Sequence, residues 1–220
     1  MPITHTNAKG KTYYLHQGTT KTGKPKYYFA MESNGELAES IPAGFEIYEN
    51  PNAQVFLRRI PPKLITDEEC QVVEDNMRKY ASVQDYKIDV KGNAIVVYTA
   101  DQDIETLAGL FQGIYPDPTT NPQLLTLLRR EIHYSPMLQF LLEDEKRRTF
   151  TAQRYCFIGS IDDWIDIGHG KLTKLIKRYV KHLGQESYFE LFYTTWKVMS
   201  QISDALKNSC FEINGLRKCP

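Results

Sequence analysis

The sequence has no apolar run near the ~18 consecutive residues that a membrane-spanning helix requires, and its start, Met1-Pro2-Ile3-Thr4-His5-Thr6-Asn7, lacks the apolar core of a secretory signal. The expected address is the cytosol, with no membrane partner. Net charge is absent as well: 27 Lys and Arg balance 27 Asp and Glu over 220 residues, so no whole-molecule field draws in nucleic acid or anionic lipid. Any electrostatic attraction has to be local. Cysteine is scarce, and Cys70, Cys156, Cys210 and Cys219 contain no C-x-x-C pair, which excludes zinc-ribbon and thioredoxin-like chemistry and predicts free thiols. The motifs G-x-S-x-G, H-E-x-x-H, G-x-x-x-x-G-K-[ST] and G-x-G-x-x-G are all missing, so no cofactor and no metal is implied.

What is present is an ordinary globular composition, 41% hydrophobic, organised as strands followed by mixed elements. Thr12–His16 and Lys26–Met31 are aromatic-rich runs flanking Lys21-Thr22-Gly23-Lys24-Pro25, the pattern of a hairpin with a glycine turn. Phe45–Tyr48 and Gln54–Ile60 form a second pair around Asn50-Pro51-Asn52, and Pro61-Pro62 closes the segment like a linker. Thr66-Asp67-Glu68-Glu69 is a capping box, predicting a helix over Asp67–Tyr80 with Val73, Met77 and Tyr80 inward. Tyr86–Val90 and Ala94–Tyr98 alternate around Gly92-Asn93, the sharpest hairpin signal in the chain.

Asp101–Phe111 is expected to be helical, and Asn121-Pro122 supplies the cap and first residue of another short helix carrying Leu124, Leu125, Leu127 and Leu128. Met137–Glu143 and Arg147–Phe157 predict a third hairpin. Leu172, Leu175, Ile176, Tyr179, Val180 and Leu183 follow the 3.6-residue period up to Gly184, and a longer helix is expected over Glu186–Asn208. The fold class is therefore α+β: a small antiparallel β segment over residues 1–60, then an α+β domain over residues 61–220 with C-terminal helices.

The run Thr12-Tyr13-Tyr14-Leu15-His16, Gly23-Lys24-Pro25-Lys26-Tyr27-Tyr28-Phe29 and Ile47-Tyr48-Glu49-Asn50-Pro51-Asn52-Ala53-Gln54-Val55-Phe56-Leu57-Arg58 resembles a group of uncharacterised bacterial proteins. Arg154-Tyr155-Cys156-Phe157-Ile158-Gly159-Ser160-Ile161-Asp162-Asp163-Trp164 is similar to a segment of the same group. The resemblance implies a bacterial origin and a shared fold, and carries over no functional residues.

Three constellations carry chemistry. Residues 1–30 hold Lys9, Lys11, Lys21, Lys24 and Lys26 with no acid, interleaved with Tyr13, Tyr14, Tyr27, Tyr28 and Phe29. Cations beside aromatic faces are what single-stranded nucleic-acid platforms use, and the candidate binding residues are Lys11, Tyr14, Lys21, Lys24, Lys26 and Tyr28. The competing explanation is neutralisation within the sheet, since residues 31–57 hold Glu32, Glu36, Glu39, Glu46 and Glu49 with no base. The second constellation is the helix Lys171–Leu183, with Lys174, Lys177, Arg178, Lys181 and His182 opposite its apolar stripe. It is either a contact for an anion or a solvated lysine face.

The third is Asp162, Asp163, Asp166 and His169. On a helix started by Ser160, Asp162 and Asp166 share a face with His169 three residues on, able to hold a divalent metal or pair a base with its orienter. The same residues also read as an N-cap with acids on the positive dipole end. Arg154, Tyr155, Cys156, His133 and Tyr134 are scattered residues that can meet only in the fold. The preferred expectation is a non-enzymatic binding protein presenting the hairpin to nucleic acid or to a protein partner; the alternative is a hydrolase or nuclease using the Asp/His cluster.

Overall fold

A computed structural model describes residues 1–156 and 163–191. The fold is α+β, built from antiparallel sheets and helices. Two compact units interleave along the chain: unit 1 comprises Met1–Thr66 and Asp85–Met137, and unit 2 comprises Asp67–Gln84 and Leu138–Pro220. The chain thus leaves unit 1 shortly after Pro61-Pro62 but returns to it at Asp85, a return that composition does not announce.

Unit 1 opens with a three-stranded sheet, β1 (Thr4–Thr6), β2 (Thr12–Thr19) and β3 (Pro25–Ala30), with β2 central. The β2–β3 turn closes on Gly23 at φ 76°, a conformation open to glycine at little cost, with the Gly23 amide donating to the Thr20 carbonyl. Beyond the short β1, the chain around Glu36–Ala38 extends the same edge: the Gln17 amide donates to Glu36 and the Ala38 amide to Leu15. β1 had no counterpart in the sequence pattern because three residues are too few to show alternation.

The second hairpin is β4 (Phe45–Glu49) with β5 (Val55–Arg59), paired from Phe45↔Arg59 to Glu49↔Val55. Asn50 makes its turn, the side-chain Oδ1 accepting from the Asn52 and Gln54 amides. β6 (Tyr86–Lys91) and β7 (Ala94–Ala100) follow as predicted around Gly92. β7 is buried from Ala94 to Thr99, so it is a central strand. α2 (Ile104–Gly109) is shorter than expected because Asp103 caps it, accepting from the Thr106 amide, whereas α3 (Pro122–Glu131) begins at the Asn121 cap and Pro122.

Unit 2 starts with α1 (Asp67–Tyr80), which buries Val73 and Met77 and leaves Tyr80 half-buried. β8 (Tyr134–Asp144), β9 (Thr149–Cys156) and β10 (Asp163–Lys171) pair antiparallel in the order β10-β9-β8. The Leu138↔Arg154, Phe140↔Ala152 and Leu142↔Phe150 register puts these residues on one face. Leu138, Phe140 and Ala152 are fully buried there. α4 (Leu172–Tyr179) covers β9 and β10 and packs against α1. Its period continues through a 3₁₀ turn, Val180–His182, before Gly184 at φ 75°. Glu69 of α1 receives the Arg148 guanidinium through Nε at 2.9 Å and again through Nη2.

β10 corrects the sequence expectation. Asp163, Asp166 and His169 lie on a strand, so neither the helix nor its N-cap exists from Asp163 onward. A bulge between Asp166 and Gly168 breaks the two-residue alternation on which strand recognition depends. Asp162 and Ser160 lie outside the described residues, as do Phe192–Asn208 of the expected last helix and Cys210 and Cys219. Cys70 and Cys156 are free thiols and half-buried. Among the described residues no helix is long and apolar enough to cross a membrane.

Candidate functional site

The hairpin β2–β3 is built so that side chains of opposite register partners share a face. Tyr14 stands opposite Ala30, His16 opposite Tyr28, and Gly18 opposite Lys26. Because side chains alternate along a strand, Tyr14, His16, Lys26 and Tyr28 project to one side, and Tyr13, Leu15, Tyr27 and Phe29 to the other. Leu15 is fully buried, which makes its side the packed one.

On the first side the Tyr28 ring stacks on His16, with centroids 5.1 Å apart and planes 11° apart, and the Lys26 ammonium lies 5.1 Å from the Tyr28 centroid. His16 is itself locked, buried and bonded through Nε2 to the Glu32 carbonyl at 2.9 Å. Tyr28 is therefore held rigidly while remaining 45% exposed. Lys21 and Lys24 stand exposed in the turn, and Lys11 is exposed at the far end of β2, about 26 Å away at 3.3 Å per residue. Among the described residues, Lys11, Lys21, Lys24 and Lys26 form no ion pair. The acids of residues 31–57 are engaged elsewhere where they are engaged at all: Glu46 with Arg58 at 2.9 Å and Glu49 with His5 at 2.8 Å.

The acidic constellation is dispersed. Asp166 stands opposite Gln153 and His169 opposite Thr151, so the bulge brings these two to one face although they are three residues apart. There, Gln139 donates to Gln153 at 2.5 Å and Gln153 to Asp166 at 2.6 Å, while the Thr151 hydroxyl lies 3.2 Å from the His169 Nδ1. Asp166 and His169 thus each have a neighbour other than one another. Asp163, an odd number of strand positions before Asp166, projects from the opposite face, and its carboxylate accepts from the Trp164 amide. Among the described residues no group of three His, Cys, Asp or Glu side chains is arranged to hold a metal.

Two arrangements in unit 1 had no signal in the sequence, because they join residues distant along the chain. A cavity of about 330 Å³ is lined by Glu49, Asn50, Pro51, Lys87, Ile88 and Asp89. Its polar groups are turned on protein partners: Lys87 donates to the Pro51 carbonyl at 2.5 Å, Glu49 accepts from the Ala8 amide at 2.8 Å, and Asp89 accepts from the Tyr48 hydroxyl at 2.5 Å. Burial lowers the Lys87 pKa below its ordinary value, and burial with the adjacent Asp89 carboxylate raises that of Tyr48. The second arrangement is Asp101, His133 and Asn52. Asp101 lies 2.8 Å from His133 Nδ1, and the Asn52 amide donates to Nε2 at 3.1 Å, which assigns the proton to Nδ1. Asn52 also pairs with the Tyr134 backbone in both directions, so its role is to join the β4–β5 turn to β8.

Comparison with family models, with curated proteins and with solved structures returns no match for this chain.

Proposed function

We propose that this protein is a non-enzymatic binding protein that takes single-stranded nucleic acid on the β2–β3 hairpin. The observation that carries the reading is the Gly18↔Lys26 and His16↔Tyr28 register. It sets a cation and a rigid, half-exposed ring on one face, continuous with Lys21 and Lys24 at the turn. Unstacked bases offer π-faces to a ring such as Tyr28 or Tyr14, and the phosphates between them suit ammonium groups that no carboxylate neutralises. Lys11, exposed beyond the other end of β2, adds a fourth cation.

Binding of fluorescent oligonucleotides of DNA and RNA, titrated over a range of salt, tests it. Four lysines on phosphates of a single strand give a log–log salt slope on the order of −3. Replacing Lys11, Lys21, Lys24 and Lys26 by Gln abolishes that slope. Absence of binding at low salt, or equal binding by the four-lysine variant, refutes the nucleic-acid reading and leaves a surface for a protein partner.

A further inference from the structure

From Ile167 to Gln185 the chain has no acidic residue. Within that stretch, Lys174, Lys177 and Arg178 on α4 and Lys181 on the following 3₁₀ turn are all exposed, and among the described residues none forms an ion pair. Lys171 is set apart from them, its ammonium bound to the Arg147 carbonyl. Positions 174, 177, 178 and 181 follow the i, i+3, i+4, i+7 spacing of a single helix face, about 10 Å long at 1.5 Å per residue.

The opposite face decides what kind of anion fits. Leu172, Leu175, Ile176, Tyr179 and Val180 are buried in unit 2, so α4 has no apolar face left to enter a lipid headgroup layer, as an interfacial helix must. Nor does the basic face carry an exposed ring on which an unpaired base can stack, since Tyr179 is 2% exposed and points inward. What remains is recognition by charge alone of a regular linear polyanion. Duplex nucleic acid hides its bases and presents about one phosphate per 3.4 Å of each strand, so the basic face, about three such intervals long, meets about four phosphates of one strand.

We infer that the basic face of α4 and its 3₁₀ turn is a sequence-independent contact for the phosphodiester backbone of duplex nucleic acid. This site lies in unit 2, uses none of the hairpin residues, and stands whether or not the hairpin binds single strands.

The test uses the full chain and a blunt mixed-sequence DNA duplex, with affinity measured against salt. Four duplex phosphate contacts give a slope near −3.6, and Lys174→Gln, Lys177→Gln, Arg178→Gln and Lys181→Gln combined remove it. Arg178 lies 5.3 Å from the Tyr179 ring, so a second variant keeps Arg178 and changes only the three lysines; it loses about 2.7 of the slope with the melting temperature unchanged. Replacing the hairpin lysines leaves the duplex slope as it was. No duplex binding at low salt overturns the inference, as does an unaltered slope in both α4 variants. So does tighter binding of poly-glutamate or of phosphatidylserine vesicles than of the duplex.

Discussion

The Tyr179 ring fills the space that a side chain on Gly168 requires: a Cβ built there lies 3.0 Å from the ring atoms Cε2 and Cζ. The Tyr179 hydroxyl donates to the carbonyl of Ile167, the bulged residue beside it. This seat fixes α4 against β10, and with it the direction in which the basic residues project. Gly168→Ala forces the buried ring or the bulge to move and costs about 1–3 kcal/mol, measured by denaturant unfolding. Gly18→Ala, where a Cβ meets nothing, changes stability by less than about 0.5 kcal/mol. Equal effects of the two substitutions contradict this account.

The β2–β3 register separates tyrosines that are neighbours in sequence. Tyr28→Ala weakens single-strand binding by roughly 1–3 kcal/mol, in a part that salt does not alter, and Tyr14→Ala acts in the same sense. Tyr27→Ala and Tyr13→Ala, on the packed side, leave the salt-independent part unchanged. Titration of the four variants over the same range of salt separates the two parts, and a salt-independent loss shared by Tyr27 and Tyr28 rejects the assignment of faces.

Metal chemistry is not expected at β10. Asp163 points away from Asp166, and Asp166 and His169 are engaged by Gln153 and Thr151. Zinc, magnesium or manganese added to the protein leaves the melting temperature unchanged, since only binding to the folded state raises it. An upward shift that vanishes in Asp166→Ala restores the hydrolase reading.

Burial, followed by the neighbouring Lys181 charge, pushes His182 below the ordinary histidine value. Its Nδ1 lies 2.8 Å from the Ser187 hydroxyl. The unfolded chain therefore binds a proton more readily than the folded one, and stability rises as pH increases through the ordinary histidine range near 6.5. It falls again on acidification. Unfolding free energy measured between about pH 5 and 8 shows that rise, and His182→Gln flattens it; a variant with the parental slope assigns the effect to other groups.

Cleavage by chymotrypsin begins in the segment between α2 and α3 or in residues 60–66 between β5 and α1, which lie outside the named helices and strands. Leu110 and Tyr115 are 76% and 41% exposed there. Mass spectrometry of the earliest fragments identifies the site, and a first cut within β6 or β7 contradicts the order of stability.

Sequence alone determined the features whose signal is local. The Asp67–Tyr80 helix, the Gly23 and Gly92 hairpins and the Asn121 cap all rest on residues within a few positions of one another, and each forms where its pattern stands. It also determined the two basic stretches, because a run without acids is visible in one dimension. Only the tertiary structure decided which of these charges face outward together. The Tyr28–Lys26 pairing depends on strand register, a choice that a one-residue slip inverts. The separation of Asp163 from Asp166 and His169 depends on one bulged residue, invisible to a periodicity of two. The return of the chain at Asp85 into unit 1 and the seat of Tyr179 on Gly168 depend on packing between distant segments, whose energy no local pattern contains.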